Sequence, residues 1–225
     1  MLNILTMKQL KFNIITIICL SIITLSSCNL ALQTDAVYEG VALDPHVNMT
    51  ALAYLNSKPE LSDMVDAIER AGLDTIYSQT KIKYTFLIIK NPALTDWANR
   101  LGYLSVKSVP KETVQNLLKY HVIVGEYSGY HKPTPVVPIY VRNLLKGEDA
   151  LITFKISKSA WPTYDLAVTT GNVSINTLGS NGSSLSISST TTNILTTNGV
   201  VHIFPKLSYY QRDINYTPLF VPKNY

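Results

Sequence analysis

Apolar residues recur at helical spacing through the first half of the chain and at strand spacing through the second. Leu61, Met64, Val65, Ile68 and Ala71 lie three or four apart, with Ser62, Asp63, Asp66, Glu69 and Arg70 between them. That pattern predicts an amphipathic helix stopped by Gly72. Ser57-Lys58-Pro59-Glu60 has the spacing of a capping box and predicts the start of this helix. Just upstream, Asp44-Pro45 reads as an N-cap with Pro at the first helical position, opening a helix with Val47, Ala51, Leu52 and Leu55 on its apolar side. Tyr84-Thr85-Phe86-Leu87-Ile88-Ile89 is a β-prone run of the kind that forms a fully buried strand. Asn91-Pro92 ends it ahead of a short helix around Trp97 to Leu101. Pro110 opens a further helix through Val114, Leu117 and Leu118, which runs into Tyr120-His121-Val122-Ile123-Val124 and a turn at Gly125.

After Gly125 the periodicity changes. Tyr127 to Pro138 holds three prolines and no helical repeat, and strands are predicted beyond it: Ile139 to Leu144, Leu151 to Ile156, Tyr164 to Thr169, Asn172 to Thr177, Leu185 to Ser188 and Val200 to Phe204. Alternation in Leu151–Ile156 puts Ile152, Phe154 and Ile156 on the buried face. Gly-Asn or Asn-Gly pairs at 171–172, 181–182 and 198–199 suit hairpin turns. The Ser/Thr-rich stretch 180–197 keeps enough Leu and Ile to contain strands. Helices first and strands later make an α+β chain.

The amino-terminal pattern differs from both. Lys8 and Lys11 stand in a head without acids, and an apolar run from Phe12 to Leu25 leads to Leu25-Ser26-Ser27-Cys28. Basic head, short apolar core and small residues before a cut are the marks of a secretory signal. The run has fourteen residues, whereas about 20 are needed to cross a bilayer. Leu-Ser-Ser-Cys resembles the lipobox of bacterial lipoproteins. The resemblance implies a signal peptide over 1–27, acylation (palmitate among the chains) of Cys28 as lipid-attachment residue, and a tether over 28–43. Several acyl chains, at about 0.8 kcal/mol per buried methylene, make the anchoring stable. Asn29 stands where Asp would direct retention in the inner membrane, so the expected address is the cell outer membrane, facing either the periplasm or the surface.

Composition narrows the rest. The formal net charge is +4, and two of the cations lie in 1–27, so the remainder carries only a slight positive excess. No basic stripe or RNA-binding aromatic motif accompanies it, and no nucleic-acid partner is expected. Of two cysteines, Cys19 lies in the signal and Cys28 takes lipid. The folded part therefore has no thiol for disulfides or metal. About 170 residues, from Asp44 to Tyr210, suit one domain better than two, with 211–225 as a carboxy-terminal arm rich in aromatic residues.

Four segments, in order, resemble the fasciclin (FAS1) family: the Ser57–Gly72 helix with Ala71-Gly72-Leu73; Tyr84-Thr85-Phe86 to Asn91-Pro92-Ala93; Leu117-Leu118-Lys119-Tyr120-His121-Val122 with Gly125; and Thr197-Asn198-Gly199-Val200-Val201-His202. The resemblance implies a single wedge of β-sheets with helices packed on one side, spanning 44–210. It also implies a non-enzymatic adhesion or binding module without a cofactor, holding an extracellular glycan or protein partner. The alternative is an accessory or scaffold subunit of an outer-membrane Sus-type glycan-uptake complex, partnered with its transporter. Leu87-Ile88-Ile89-Lys90-Asn91 replaces the family's Phe-Ala-Pro-Thr-Asn, and Pro205 stands where an acidic residue is usual.

His121 and His202 invite a catalytic or metal reading, but no nucleophile, carboxylate or further ligand stands at recognisable spacing. The plain expectation is a partly buried histidine bonded to backbone or to a neighbouring carboxylate. Candidate binding residues are Tyr120 and His121, by resemblance, and the loop aromatics Tyr127, Tyr130 and Trp161, with His131 and Tyr164 beside them. Aromatic rings join an apolar face to a polar tip and suit sugar or protein surfaces; covering the edge of the domain's own core is the competing role. Asp74-Thr75-Ile76 is similar to a bacterial O-glycosylation signal and also reads as an ordinary turn after the helix.

Overall fold

The computed structural model describes residues 45–130, 135–146, 150–157, 171–177 and 186–208. The signal at 1–27, Cys28, the tether, Asp44, His131, Trp161, the Tyr164–Thr169 strand, the turn at 181–182 and the arm at 211–225 lie outside the described residues.

Helix α1 (Ala51–Asn56) starts later than the Asp44-Pro45 pattern predicts. Thr50 is its N-cap, its side chain accepting from the Ala53 amide. Pro45 to Val47 instead runs along a strand edge, the Val47 amide donating to the Leu195 carbonyl and the Leu195 amide to the Pro45 carbonyl, before the chain bends at Asn48 and Met49. Strand pairing outcompetes a helix turn here because it gives these amides partners that a free helix N-terminus lacks. The expected capping box is corrected too. Ser57 caps the end of α1, donating its hydroxyl to the Tyr54 carbonyl at 2.7 Å. Pro59–Leu61 forms one 3-10 turn, and α2 (Ser62–Ala71) follows. Gly72 ends it at φ 68, in the left-handed conformation that costs a side-chain-bearing residue more. Met64, Ala67, Ile68 and Ala71 form the buried face of α2. Burying Met64 or Ile68 contributes about 1.5–3 kcal/mol each.

Asp74–Ser78 makes the short helix α3, with Thr75 exposed. Strand β1 (Tyr84–Ile89) is buried at every position, as its unbroken run predicts. Helix α4 (Asn91–Arg100) begins six residues before Trp97, since Pro92 needs no amide partner in a first turn. Helix α5 (Lys111–Tyr120) follows Pro110 and leads into β2 (Val122–Val124). The later strands are β3 (Ile139–Arg142), β4 (Leu151–Ile156), β5 (Val173–Ile175), β6 (Ile187–Ser188), β7 (Thr191–Thr196) and β8 (Gly199–Phe204). The expected strands around β3, β5 and β6 shorten, and β7 emerges from the Ser/Thr-rich stretch as a strand of its own. The first strand of the hairpin expected at 171–172 lies outside the described residues; the Asn172 carbonyl accepts from the Ser157 amide as β5 begins.

Two four-stranded sheets result, in the orders β2-β1-β8-β7 and β3-β4-β5-β6. In the first, β1 pairs with β8 in parallel along its whole length, from Tyr84 opposite Gly199 to Ile89 opposite Phe204. Helices cover one face, where Tyr77 of α3 stacks on Phe86 of β1 at 4.9 Å. On the other face, Phe154 of β4 comes within 6.0 Å of His202 of β8, so the second sheet packs there. An Ile123–Asn143 bridge links β2 to the end of β3. Helices on one side of this sheet and a second sheet on the other make an α+β fold with one continuous core.

Candidate functional site

The Tyr-His segment is interior. Tyr120 and His121, candidates for contact by resemblance, have no exposed surface in this fold. The Tyr120 hydroxyl accepts from the Asn176 amide at 2.7 Å, and Asn176 also donates to the Ser208 hydroxyl at 2.7 Å. His121 holds the end of α5, with Nδ1 2.9 Å from the Leu117 carbonyl. A carbonyl only accepts, so Nδ1 carries the proton and Nε2 is the unprotonated nitrogen. That Nε2 is buried without a partner among the described residues. Burial pushes the His121 pKa down to about 4, opposed by the bond to Leu117.

His202 is equally buried and joins three elements. The Asn193 amide donates to its Nδ1 at 3.1 Å, so the proton sits on Nε2, which donates to the Tyr127 carbonyl at 2.9 Å. Asn193 lies at the irregularity in the β7–β8 ladder with φ 60, and its side-chain oxygen accepts from the Gly129 amide at 2.7 Å. Burial pushes the His202 pKa down to about 4 as well, against the bond to Tyr127. Both histidines are thus the backbone-bonded kind expected from sequence, with no carboxylate beside either ring in these bonds. Among the described residues no group of three or more His, Cys, Asp or Glu is placed to hold a metal ion.

The other motif residues are also ties within the fold. The Asn91 side chain accepts from the Asp63 amide and donates to the Pro59 carbonyl and the Ser62 hydroxyl, fastening the start of α2 to the end of β1. Asn198 is fully buried, accepting from the Ala51 amide at 2.8 Å and donating to the Tyr77 carbonyl at 2.8 Å. It thereby satisfies an orphan amide in the first turn of α1 and pins α3 to the β7–β8 turn. Gly199 follows with φ 147, and a Cβ there would run into the Tyr84 carbonyl across the parallel ladder.

The loop aromatics divide. Tyr127 is half-buried, its ring 5.5 Å from Phe154 and its amide bonded to the Thr85 hydroxyl at 2.9 Å, so it lines the domain's own core edge. Tyr130 is 41% exposed. Sequence reasoning missed its companions: Val136, Val137 and Tyr140 are 51, 65 and 63% exposed, and Val124 is 45% exposed. The signal was present in the alternation of Ile139-Tyr140-Val141-Arg142. Ile139 and Val141 pack inward, which turns Tyr140 and Arg142 to the opposite face. Since Ile123 bridges Asn143 in antiparallel fashion, Val124 comes opposite Arg142, two residues along from Tyr140. Exposed apolar side chains thus stand on β3 and on the described residues just before it.

In this α+β module the motif residues maintain the fold, and Tyr140 stands exposed on the edge strand β3. The fasciclin domain family model matches residues 59–207, and the chain belongs to that family, whose domain is of the adhesion and binding kind. The fold is also similar to the solved FAS1 domain pair of the insect cell-adhesion molecule fasciclin I, with TM-score 0.50 and 13% identity. That match covers 71% of this chain and 50% of the insect chain, so this chain spans about half the length of the domain pair. No curated protein matches.

Proposed function

We propose that the chain is a lipid-anchored, non-enzymatic binding module of the cell envelope, tethered to the outer membrane through Cys28. It would hold an extracellular partner by the strip of Tyr130, Val136, Val137 and Tyr140 beside Val124. The observation that carries this reading is the exposure of Tyr140 on the edge strand β3, whose Val141 is buried, together with the exposure of Val137 just before that strand. A soluble domain rarely leaves such a group uncovered without an interaction to serve. The valines offer no hydrogen bonds to sugar hydroxyls, so a protein surface fits the strip better than a glycan.

Two measurements test the reading. Cys28→Ala should move the protein from the membrane fraction to the soluble fraction, and continued membrane retention after detergent-free washing would refute the anchor. Crosslinking and recovery from solubilised membranes should yield a stoichiometric protein partner that is lost with Tyr140→Ser plus Val137→Ser. Recovery that ignores these substitutions removes the strip from the proposal. Recovery of a porin-like transporter would favour the accessory-subunit role, and binding on a glycan array alone would replace the protein partner by a sugar.

A further inference from the structure

The hydrogen bonds of His202 have a consequence for the loop that leads to the exposed strip. Four contacts fix Gly125–Tyr130 to the first sheet at this end. The Thr85 hydroxyl donates to the Gly125 carbonyl and accepts from the Tyr127 amide, both at 2.9 Å. His202 Nε2 donates to the Tyr127 carbonyl, and Asn193 accepts from the Gly129 amide. The last two share one origin, since the Asn193 amide is itself bonded to Nδ1 of His202. The imidazole must accept on one nitrogen and donate from the other, and only the neutral ring does both.

We infer that His202 is an acid-sensitive clasp, whose protonation detaches the Tyr127–Tyr130 loop from the first sheet while the rest of the domain stays folded. A proton added to Nδ1 meets the Asn193 N–H, replacing an accepted bond with two opposed donors in a site closed to water. Either the ring or the β7 irregularity must shift, and Asn193 carries the Gly129 bond with it. Nothing on the facing strands compensates the new charge. The residue opposite on β1 is Leu87, β7 presents the Asn193 amide, and β4 presents the Phe154 ring. Alternation turns Lys155 of β4 to the other face from Phe154. Glu126, Tyr127 and Tyr130 are the titratable side chains of Gly125–Tyr130; Tyr127 meets the ring with its main-chain carbonyl, and Tyr130 is exposed. The other buried histidine, His121, is bonded into α5 and does not belong to the clasp. The low His202 pKa, about 4 against the ordinary 6.5, is what this desolvated setting produces, and loop opening becomes easier as pH falls from 6.5 towards 4. Loop release costs fewer core contacts than unfolding, which is why opening is local.

The inference rests on these bonds and not on a partner's identity, so it is tested without one. Amide exchange over Tyr127–Tyr130, corrected for intrinsic rates, should quicken at least tenfold between pH 7 and pH 4.5 in the full-length protein in detergent. The β1 amides should stay protected. His202→Gln keeps one donor and one acceptor without titrating, and its loop exchange should change less than threefold over the same range. An unchanged wild-type loop, equal quickening in His202→Gln, or loss of β1 protection together with the loop would each overturn the inference. Should His202→Gln fail to fold, the wild-type ring decides: its NMR titration must coincide with the loop opening. A ring that stays neutral until β1 unfolds refutes the clasp.

Discussion

Removing the Asn198 side chain isolates a single motif residue whose work is wholly internal. Asn198→Ala takes away an acceptor 2.8 Å from the Ala51 amide and a donor 2.8 Å from the Tyr77 carbonyl. It also takes an acceptor 3.1 Å from the Thr196 hydroxyl, which keeps its second bond to the Gly199 carbonyl. Ala51 and Tyr77 are both fully buried, so water cannot readily replace the missing partner. Each orphaned buried group costs about 1–3 kcal/mol, and two of them give about 2–6 kcal/mol against a typical domain stability of about 5–15 kcal/mol. For a domain of this size about 1 kcal/mol moves Tm by about 2–4 °C, so a fall of roughly 4–24 °C is expected. Urea unfolding followed by far-ultraviolet circular dichroism, with Tm from calorimetry, measures both. Asn198→Asp should be no milder, because a carboxylate cannot donate to the Tyr77 carbonyl. A loss below about 1 kcal/mol for the alanine variant would show that α1 and α3 are held by apolar packing alone, and the reasoning from orphaned groups would fail.

Gly199→Ala should be at least as damaging, because its Cβ is opposed by backbone at φ 147 and neither side can move without opening the β1–β8 ladder; a folded variant of unchanged Tm counts against that packing. Stability should also fall with acid. Both buried histidines hold a folded-state pKa of about 4 against the ordinary 6.5, so their stabilising effect is complete above pH 6.5 and drains away as pH falls towards 4. His121→Phe should remove on the order of 2–3 kcal/mol of that dependence, read as a flatter slope of unfolding free energy between pH 6.5 and 4. Parallel slopes in wild type and variant would mean that His121 titrates normally.

The architecture was legible wherever a local pattern and the tertiary demand coincided. The β1 run reads as buried on both faces because it is central, and Gly72 reads as a stop because a helix end favours a left-handed residue. The errors fall where distant chain intervened. Asp44-Pro45 has the local grammar of a helix start, but the Pro45 carbonyl and the Val47 amide find strand partners on Leu195 of β7, about 150 residues away in sequence. Spacing does not reveal what the motif residues do in the fold. Asn91, Asn198 and His202 bond across elements, and His121 bonds back to the helix it ends. Residues that hold a wedge together constrain each other through buried hydrogen bonds, whereas a docking strip needs only exposure and apolar surface. Tyr140 satisfies that looser demand through strand alternation alone. In this chain the familiar motifs therefore mark the scaffold, and the surface proposed for binding is what the scaffold leaves uncovered along β3.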